Sequence, residues 1–248
     1  MTALPVSQPL TQKVLVSECF HSIQGEGKLS GTPSYFIRLS GCNLRCTWCD
    51  TPYASWNPEG TQQSLETLVE SAVASRAKHV VLTGGEPMLF DAIEPLSQAL
   101  RLRGMHITIE TAGTIFRDSI VVACDLLSLS PKLSNSTPAA NDPRDPTGVW
   151  AARHESRRIS IPILQKLIDS HPIHQLKFVV SNDADIAEIH SLLAQLKGWT
   201  PSDVLLMPEG VTLPSQATKT WLVDICLKNN FRYCPRLHIE LFGNVRGT

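Results

Sequence analysis

The chain has 248 residues, 42% of them apolar and 18% charged, with a formal net charge of −1. That composition can fill a globular core, and the balanced charge argues against a chain built mainly to hold a nucleic-acid backbone. No apolar run approaches the ~18 residues of a membrane helix, and the first ten residues lack a signal-peptide pattern. The reading at this level is a cytoplasmic protein with no membrane and no nucleic-acid partner. Seven cysteines in such a chain fit a reducing compartment. The scattered Cys19, Cys124, Cys226 and Cys234 read as small buried apolar residues.

In chain order, residues 1–12 are polar and loose, and Val14 to Phe20 predicts a first strand. The glycine-bearing loop His21-Ser22-Ile23-Gln24-Gly25-Glu26-Gly27 follows. A strand over 34–40 leads into a cysteine-rich loop, and 55–60 is turn-like. Apolar residues at Leu65, Leu68, Val69, Ala72 and Val73 predict a helix over 64–77. His79 to Thr83 is a short β-branched run bounded by Gly84-Gly85, a buried strand. A helix over 90–103 stops before Gly104. A strand over 106–110, a short helix around 115–121 and a strand over 126–129 come next. Residues 133–150, rich in Asn, Pro, Ser and Thr, read as a long loop of the kind that is usually functional. A helix over 160–170, a strand 175–180, a helix 183–196, a strand 203–207 and a helix 216–229 complete the pattern. The tail 231–248 reads as a final extended segment. About six strands alternate with about six helices, so the class is α/β with a parallel sheet. The sheet is either open and doubly wound or a partial barrel. The chain reads as a single domain with an N-terminal extension of about 1–13.

The unusual residues follow strand ends: Thr83-Gly84-Gly85-Glu86-Pro87, Glu110-Thr111-Ala112-Gly113, Ser130-Pro131-Lys132, Ser181-Asn182-Asp183 and Pro208-Glu209-Gly210. In parallel α/β folds the carboxyl ends of the strands share one face, where ligands bind. These loops are therefore expected to converge on one site. Within Gly41-Cys42-Asn43-Leu44-Arg45-Cys46-Thr47-Trp48-Cys49-Asp50-Thr51 the three cysteines form CxxxCxxC. A closed structural zinc site needs four ligands, with His21 or Cys19 as the completing candidates. Cys46 and Cys49 alone have redox-pair spacing. An iron–sulfur cube held by three thiolates keeps one iron open to chelate a small molecule.

CxxxCxxC with Trp48 before its last cysteine resembles the radical S-adenosylmethionine (SAM) superfamily. Gly84-Gly85-Glu86-Pro87 resembles that superfamily's second motif. The segments 22–27, 38–44, Cys49-Asp50-Thr51 and 110–114 together resemble the 7-carboxy-7-deazaguanine synthase family. The likeness runs from about Val16 to Lys132 and more weakly to the tail. It implies a modified partial (βα)6-type barrel and a carbon–nitrogen lyase of 7-deazapurine (queuosine) biosynthesis. In that reaction 6-carboxy-5,6,7,8-tetrahydropterin becomes 7-carboxy-7-deazaguanine with loss of ammonia. A reduced cluster cleaves SAM to a 5′-deoxyadenosyl radical, which takes a hydrogen from C6, and SAM is regenerated. The resemblance also implies Mg²⁺, a homodimer and an external flavodoxin-like or ferredoxin-like electron donor.

Carried over position by position, Cys42, Cys46 and Cys49 hold the [4Fe-4S] cluster. Trp48, Cys49, Asp50, Gly85, Glu86, Ser130, Pro131 and Lys132 meet SAM, Glu86 offering acceptors to its ammonium. Thr51 matches a Mg²⁺ ligand, an oxygen donor suited to a hard cation, with Asp50 assisting. Ile23, Gln24 and Gly25 match the substrate loop, and Arg38 and Thr83 match substrate contacts. Glu110 is expected to hold the guanidine-like edge of the pterin, and His238 to handle substrate or a proton. In the family the terminal residue reaches the substrate, a role that would fall to Thr248. Two readings compete: a radical SAM activase acting on a partner protein, and a zinc-binding interaction module.

Overall fold

The computed structural model describes residues 10–117 and 123–248. Among the described residues nine strands form one sheet. They are β1 (Lys13–Ile23), β2 (Pro33–Leu39), β3 (Thr61–Ser64), β4 (His79–Gly84), β5 (His106–Thr111), β6 (Leu126–Leu129), β7 (His174–Val180), β8 (Val204–Pro208) and β9 (Arg232–Tyr233). Their order is β3-β1-β2-β4-β5-β6-β7-β8-β9. From β2 to β9 every neighbouring pair is parallel, while β1 runs antiparallel to both β2 and β3. The helices are α1 (Leu65–Ala74), α2 (Ile93–Leu102), α3 (Val149–Arg157), α4 (Ile161–Ser170), α5 (Asp183–Leu193), α6 (Gln216–Asn229) and α7 (Leu237–Phe242). The result is an α/β partial barrel with a mostly parallel sheet. No helix among the described residues is long and apolar enough to cross a membrane.

The two faces of the strands explain both the core and the site. One face carries Ile37 and Leu39, Val80 and Leu82, Ile107 and Ile109, Leu176, Phe178 and Val180, and Val204 and Leu206. These pack in one cluster with Leu65, Leu68 and Val69 of α1, Ile93, Leu96 and Leu100 of α2, Leu164, Leu167 and Ile168 of α4, and Ile189, Leu192 and Leu193 of α5. Successive strand residues point to opposite faces, so the other face carries Ser34 and Arg38, His79 and Thr83, Thr108 and Glu110, Ser128, and Gln175 and Lys177. The same face also carries Phe36, Val81, Val179, Leu205 and Met207, so the lumen mixes polar and apolar groups. At its lower end its groups satisfy one another. The Ser34 hydroxyl donates to the Thr32 carbonyl, so it accepts from His79 Nδ1 at 2.7 Å, while His79 Nε2 lies 2.7 Å from the Thr108 hydroxyl. Burial holds His79 near a pKa of about 4, which keeps the neutral ring that this pattern needs. Gln175 Nε2 donates to the Ser128 hydroxyl at 2.7 Å. Buried polar groups paired in this way avoid a desolvation penalty.

Most expected elements stand where the pattern put them, and the differences have physical causes. β1 belongs to an antiparallel extension rather than a βα unit. β3 is a four-residue polar edge strand, Thr61-Gln62-Gln63-Ser64, held to β1 by backbone bonds, and it carries no apolar alternation to read. The helix expected from residue 90 starts at 93, after a 3-10 turn at Pro87–Leu89. The long loop ends at Gly148 because α3 begins there, a polar helix whose buried residue is His154. The tail is not extended: it folds into the short helix α7. The helix expected around 115–121 lies largely outside the described residues.

Gly84 closes β4 at φ +152°, where a Cβ would stand 2.2 Å from the Leu39 carbonyl oxygen of β2. A side chain here forces apart two strands that carry the site, in a backbone region that L residues rarely adopt. Gly84→Ala is expected to destabilise the fold by about 2 kcal/mol or more, lowering the melting temperature by roughly 4–8 °C for a chain of this size. A thermal melt by circular dichroism checks it.

Candidate active site

The carboxyl ends of the parallel strands open onto a cavity of about 300 Å³, the lower end of the range for small-molecule sites. Sixteen expected residues reach its wall. Ile23, Gln24 and Gly25 come from the loop after β1, Arg38 from β2, and Cys42, Cys46, Trp48, Cys49, Asp50 and Thr51 from the loop after β2. Thr83 and Gly85 come from the end of β4, Glu110 from β5, Ser130 and Lys132 from the loop after β6, and His238 from α7. Thr248 lies on the same wall.

Two expected contacts do not reach the wall. Glu86 is fully buried behind it. Its carboxylate accepts from the Thr111 hydroxyl at 2.7 Å, Ala112 N at 2.8 Å and Met88 N at 3.0 Å. It fastens the turn after β4 to the end of β5, with its acceptors turned inward rather than toward a ligand's ammonium. Burial lifts its pKa, and the three donors offset part of that rise. Pro131 is buried and stands off the cavity. The loop Ser181-Asn182-Asp183 does not join the site either. Asn182 caps α5, and Asp185 accepts back from Ser181 N and Asn182 N.

The cysteine loop is held from several sides. Gly85 lies so close beneath it that a Cβ would meet the Gly41 carbonyl at 2.4 Å and Cys42 Cβ at 2.7 Å. The segment 133–158, which carried no readable motif, covers the loop from outside. Ser136 O accepts from Thr47 N at 2.8 Å. Arg45 N donates to His154 Nδ1 at 3.1 Å, and His154 Nε2 lies 2.9 Å from the Ser136 hydroxyl, which itself donates to Leu133 O. Burial holds His154 near a pKa of about 4, as a neutral ring that donates on one side and accepts on the other. Arg45 stacks 3.9 Å from the Trp150 ring and Arg144 stacks 4.2 Å from Trp56, whose indole donates to Cys46 O.

All seven cysteines are free. Cys42, Cys46 and Cys49 share the cavity wall, and Cys19 and His21 are not on it. Among the described residues no group of three or more His, Cys, Asp or Glu converges closely enough to hold a single metal ion. Three thiolates are one ligand short of a closed structural zinc site, and are the set that leaves one iron of a cube open. Burial pushes the Cys42 thiol up to about 12 and raises Cys46 as well, so a cationic cluster is the partner that would bring them to thiolates. Trp48 donates to Asn135 Oδ1 at 3.2 Å, with Lys132 Nζ 5.6 Å from its ring.

The other half of the cavity is an array of charges and donors. Gln24 Nε2 donates to one Glu110 oxygen at 3.1 Å and the Thr83 hydroxyl donates to the other at 3.0 Å. Arg38 Nε and the Tyr53 hydroxyl both reach Glu18 Oε1 at 2.8 Å. Glu26 is bracketed by Lys177 and by Arg236, whose Nε stands 3.1 Å away. Burial alone would raise the Glu26 pKa, but the two cations hold it well below the usual carboxylate range. The same guanidinium binds Asp50 and the Gly210 carbonyl. Burial lowers the His238 pKa, and the ring packs where a Gly25 Cβ would have to go, 2.0 Å from His238 Nδ1.

Sequence reasoning gave no role to Glu18, Glu26, Tyr53, Lys177, Arg236 or Arg246, all on the wall. One signal for Lys177 was present: a lysine within the buried run Gln175 to Val180 is rarely placed there without a partner. Arg236 offered none, because its acidic partners lie 210 and 186 positions away.

The chain was compared with known proteins. The model of the radical SAM superfamily matches residues 36–131. The 7-carboxy-7-deazaguanine synthase of Rhodopirellula baltica is 48% identical over 237 residues, 95% of this chain and 89% of that protein. The enzyme of the same name from Halobacterium salinarum is 44% identical over 240 residues, 94% and 92% of the two chains. Among solved structures, QueE from Escherichia coli superimposes with a TM-score of 0.68 at 25% identity, covering 91% of this chain and 95% of that one.

The pairing of Glu26 has a pH signature. Its folded pKa lies below the usual glutamate value of 4.5. Its stabilisation is therefore complete above that value and is lost as pH falls through the folded pKa. Glu26→Gln is expected to flatten the fall in stability below about pH 4.5 while lowering stability at neutral pH. Denaturant titrations of both proteins across pH 3–7 measure it.

Proposed function

The chain belongs to the 7-carboxy-7-deazaguanine synthase family of radical SAM enzymes, and from that membership we infer how its cavity does the family's work. The enzyme is a radical SAM lyase that converts 6-carboxy-5,6,7,8-tetrahydropterin to 7-carboxy-7-deazaguanine and ammonia, a step of queuosine biosynthesis. The observation that carries the assignment of parts is the shared wall: three free thiols, a glycine turn and the oriented Glu110 carboxylate face one cavity. The activase reading has no comparable support.

Cys42, Cys46 and Cys49 would hold the [4Fe-4S] cluster, and Trp48, Gly85, Ser130 and Lys132 would line the SAM beside it. When bound, cluster and SAM together supply the radical that takes a hydrogen from C6 of the pterin. The protein's own part is recognition and positioning. Gln24 and Thr83 each take one Glu110 oxygen, so the carboxylate is fixed in rotation with acceptor capacity left for the paired N–H groups of the pterin. Arg38, held by Glu18, supplies a fixed positive charge on the wall. His238 is a neutral imidazole there, able to accept a proton.

Thr51 is the proposed Mg²⁺ ligand. Its hydroxyl lies 3.7 Å from Cys49 Sγ, so an ion on that oxygen would stand beside the cluster and could share the substrate carboxylate. A homodimer, a flavodoxin-like or ferredoxin-like reductant and a cytoplasmic setting complete the proposal by family likeness.

An anaerobic assay with SAM, reductant and the pterin, read by mass spectrometry, tests the whole reading. Product is expected; SAM cleavage without product would favour the activase, and stoichiometric zinc without iron or sulfide would point to a zinc module. Thr51→Ala is expected to keep its iron and sulfide but to lose at least 10-fold in Mg²⁺-stimulated turnover. Unchanged Mg²⁺ dependence removes Thr51 from the mechanism.

A further inference from the structure

We propose that Arg236 is a positioning residue for this reaction: its guanidinium bridges Glu26 and Asp50, and so sets α7 and the tail after it against the cysteine loop. This rests on the synthase reading above and assigns a role to a residue with no motif.

The tail is held to the barrel by polar bonds and very little apolar burial. Within α7 only Ile239 is buried, while Leu241, Phe242 and Val245 are 52%, 43% and 58% exposed. The preceding strand β9 has two residues. Such a segment has little apolar packing to fix its place. Yet residues 236 and 238 and the stretch 244–248 build one side of the cavity. Arg236 stands at the start of α7, and its side chain is only 10% exposed. It contacts three separate parts of the protein: Glu26 of the substrate loop, Asp50 of the cysteine loop and the Gly210 carbonyl after β8. One residue on, Leu237 N donates to Gly25 O at 2.9 Å.

Charge counting gives Arg236 a purpose beyond neutralising Glu26. Lys177 already pairs with the second Glu26 oxygen, so one cation is present for that anion. The second cation is balanced by Asp50, which is exposed and adjacent to both Cys49 and Thr51. The guanidinium is planar and offers several donors in a fixed fork. It therefore sets the spacing of the two loops it joins, one bearing the cluster thiols and the other the pterin contacts. Lysine would keep the charge and lose the fork. Methionine would lose both.

Hydrogen exchange on the full chain separates latching from general stability. In Arg236→Met the amides of residues 237–243 are expected to exchange at least 10-fold faster than in the wild type, with those of β4 and β5 unchanged, and Arg236→Lys should fall between. In the reconstituted enzyme, Arg236→Met is expected to raise KM for the carboxylated pterin at least 10-fold with kcat within about 3-fold. It should also raise the 5′-deoxyadenosine released per product, because a loosened wall lets the radical go astray. Three results overturn the proposal: tail exchange equal to wild type, exchange accelerated as much in β4 and β5 as in the tail, or KM and the deoxyadenosine-to-product ratio both unmoved. If the wild type itself turns over no pterin, the synthase reading falls, and the exchange comparison still decides the latch.

Discussion

Glu26 is a largely buried carboxylate between two cations, and much of the cavity depends on that arrangement. An unpaired charge there would be unfavourable. The loop after β1 is therefore tied to β7 through Lys177 and to the start of α7 through Arg236. Gly25 beside it has no room for a side chain, because the His238 ring fills the space. Gln24, one position earlier, turns its amide nitrogen to Glu110 and its oxygen to Glu26 N. Three consecutive residues thus meet the tail, the barrel and Glu110, the carboxylate proposed to hold the pterin's N–H edge, and a displacement of any one moves the others.

The cysteine loop has its own support. Below it, glycine at position 85 permits contact with Gly41 and Cys42. Above it, the segment 133–158 supplies His154, Trp150 and Arg144, each bonded or stacked to backbone or side chains of the loop or of its flank. An Arg face over an indole is worth about 0.5–2 kcal/mol depending on exposure. Two such stacks and a buried histidine give a segment without apolar periodicity a fixed place. The thiols are thereby presented by a loop braced on both sides, and rigid support of this kind keeps a reactive site in geometry.

The barrel was legible wherever one strand face met the helices and the other met the lumen. His106-Ile107-Thr108-Ile109-Glu110 shows the alternation openly, and it placed Glu110 on the correct side of the sheet. The cysteines, Gly85 and the loop after β1 were legible as parts of one wall, because close thiol spacing and close backbone approach restrict which residues can stand there. Glu86 misled, since a carboxylate after two glycines reads equally as a ligand group and as an internal fastener, and only its three donors decide. β3, α3 and α7 were not legible: each is short or polar and is held by contacts to distant segments rather than by its own periodicity. Arg236 lies at the far limit of this effect, as do the stacked arginines at 45 and 144.

The bonded polar floor of the lumen has a consequence for traffic. Ser34, His79 and Thr108 form one buried bonded set, and Ser128 and Gln175 another, at the end of the lumen away from the cavity mouth. The cavity opens at the carboxyl ends of the strands, and that rim is the route the structure offers for what it receives and discharges, ammonia included. Residues 236–248 form part of that rim, and they bound both the chamber and its doorway.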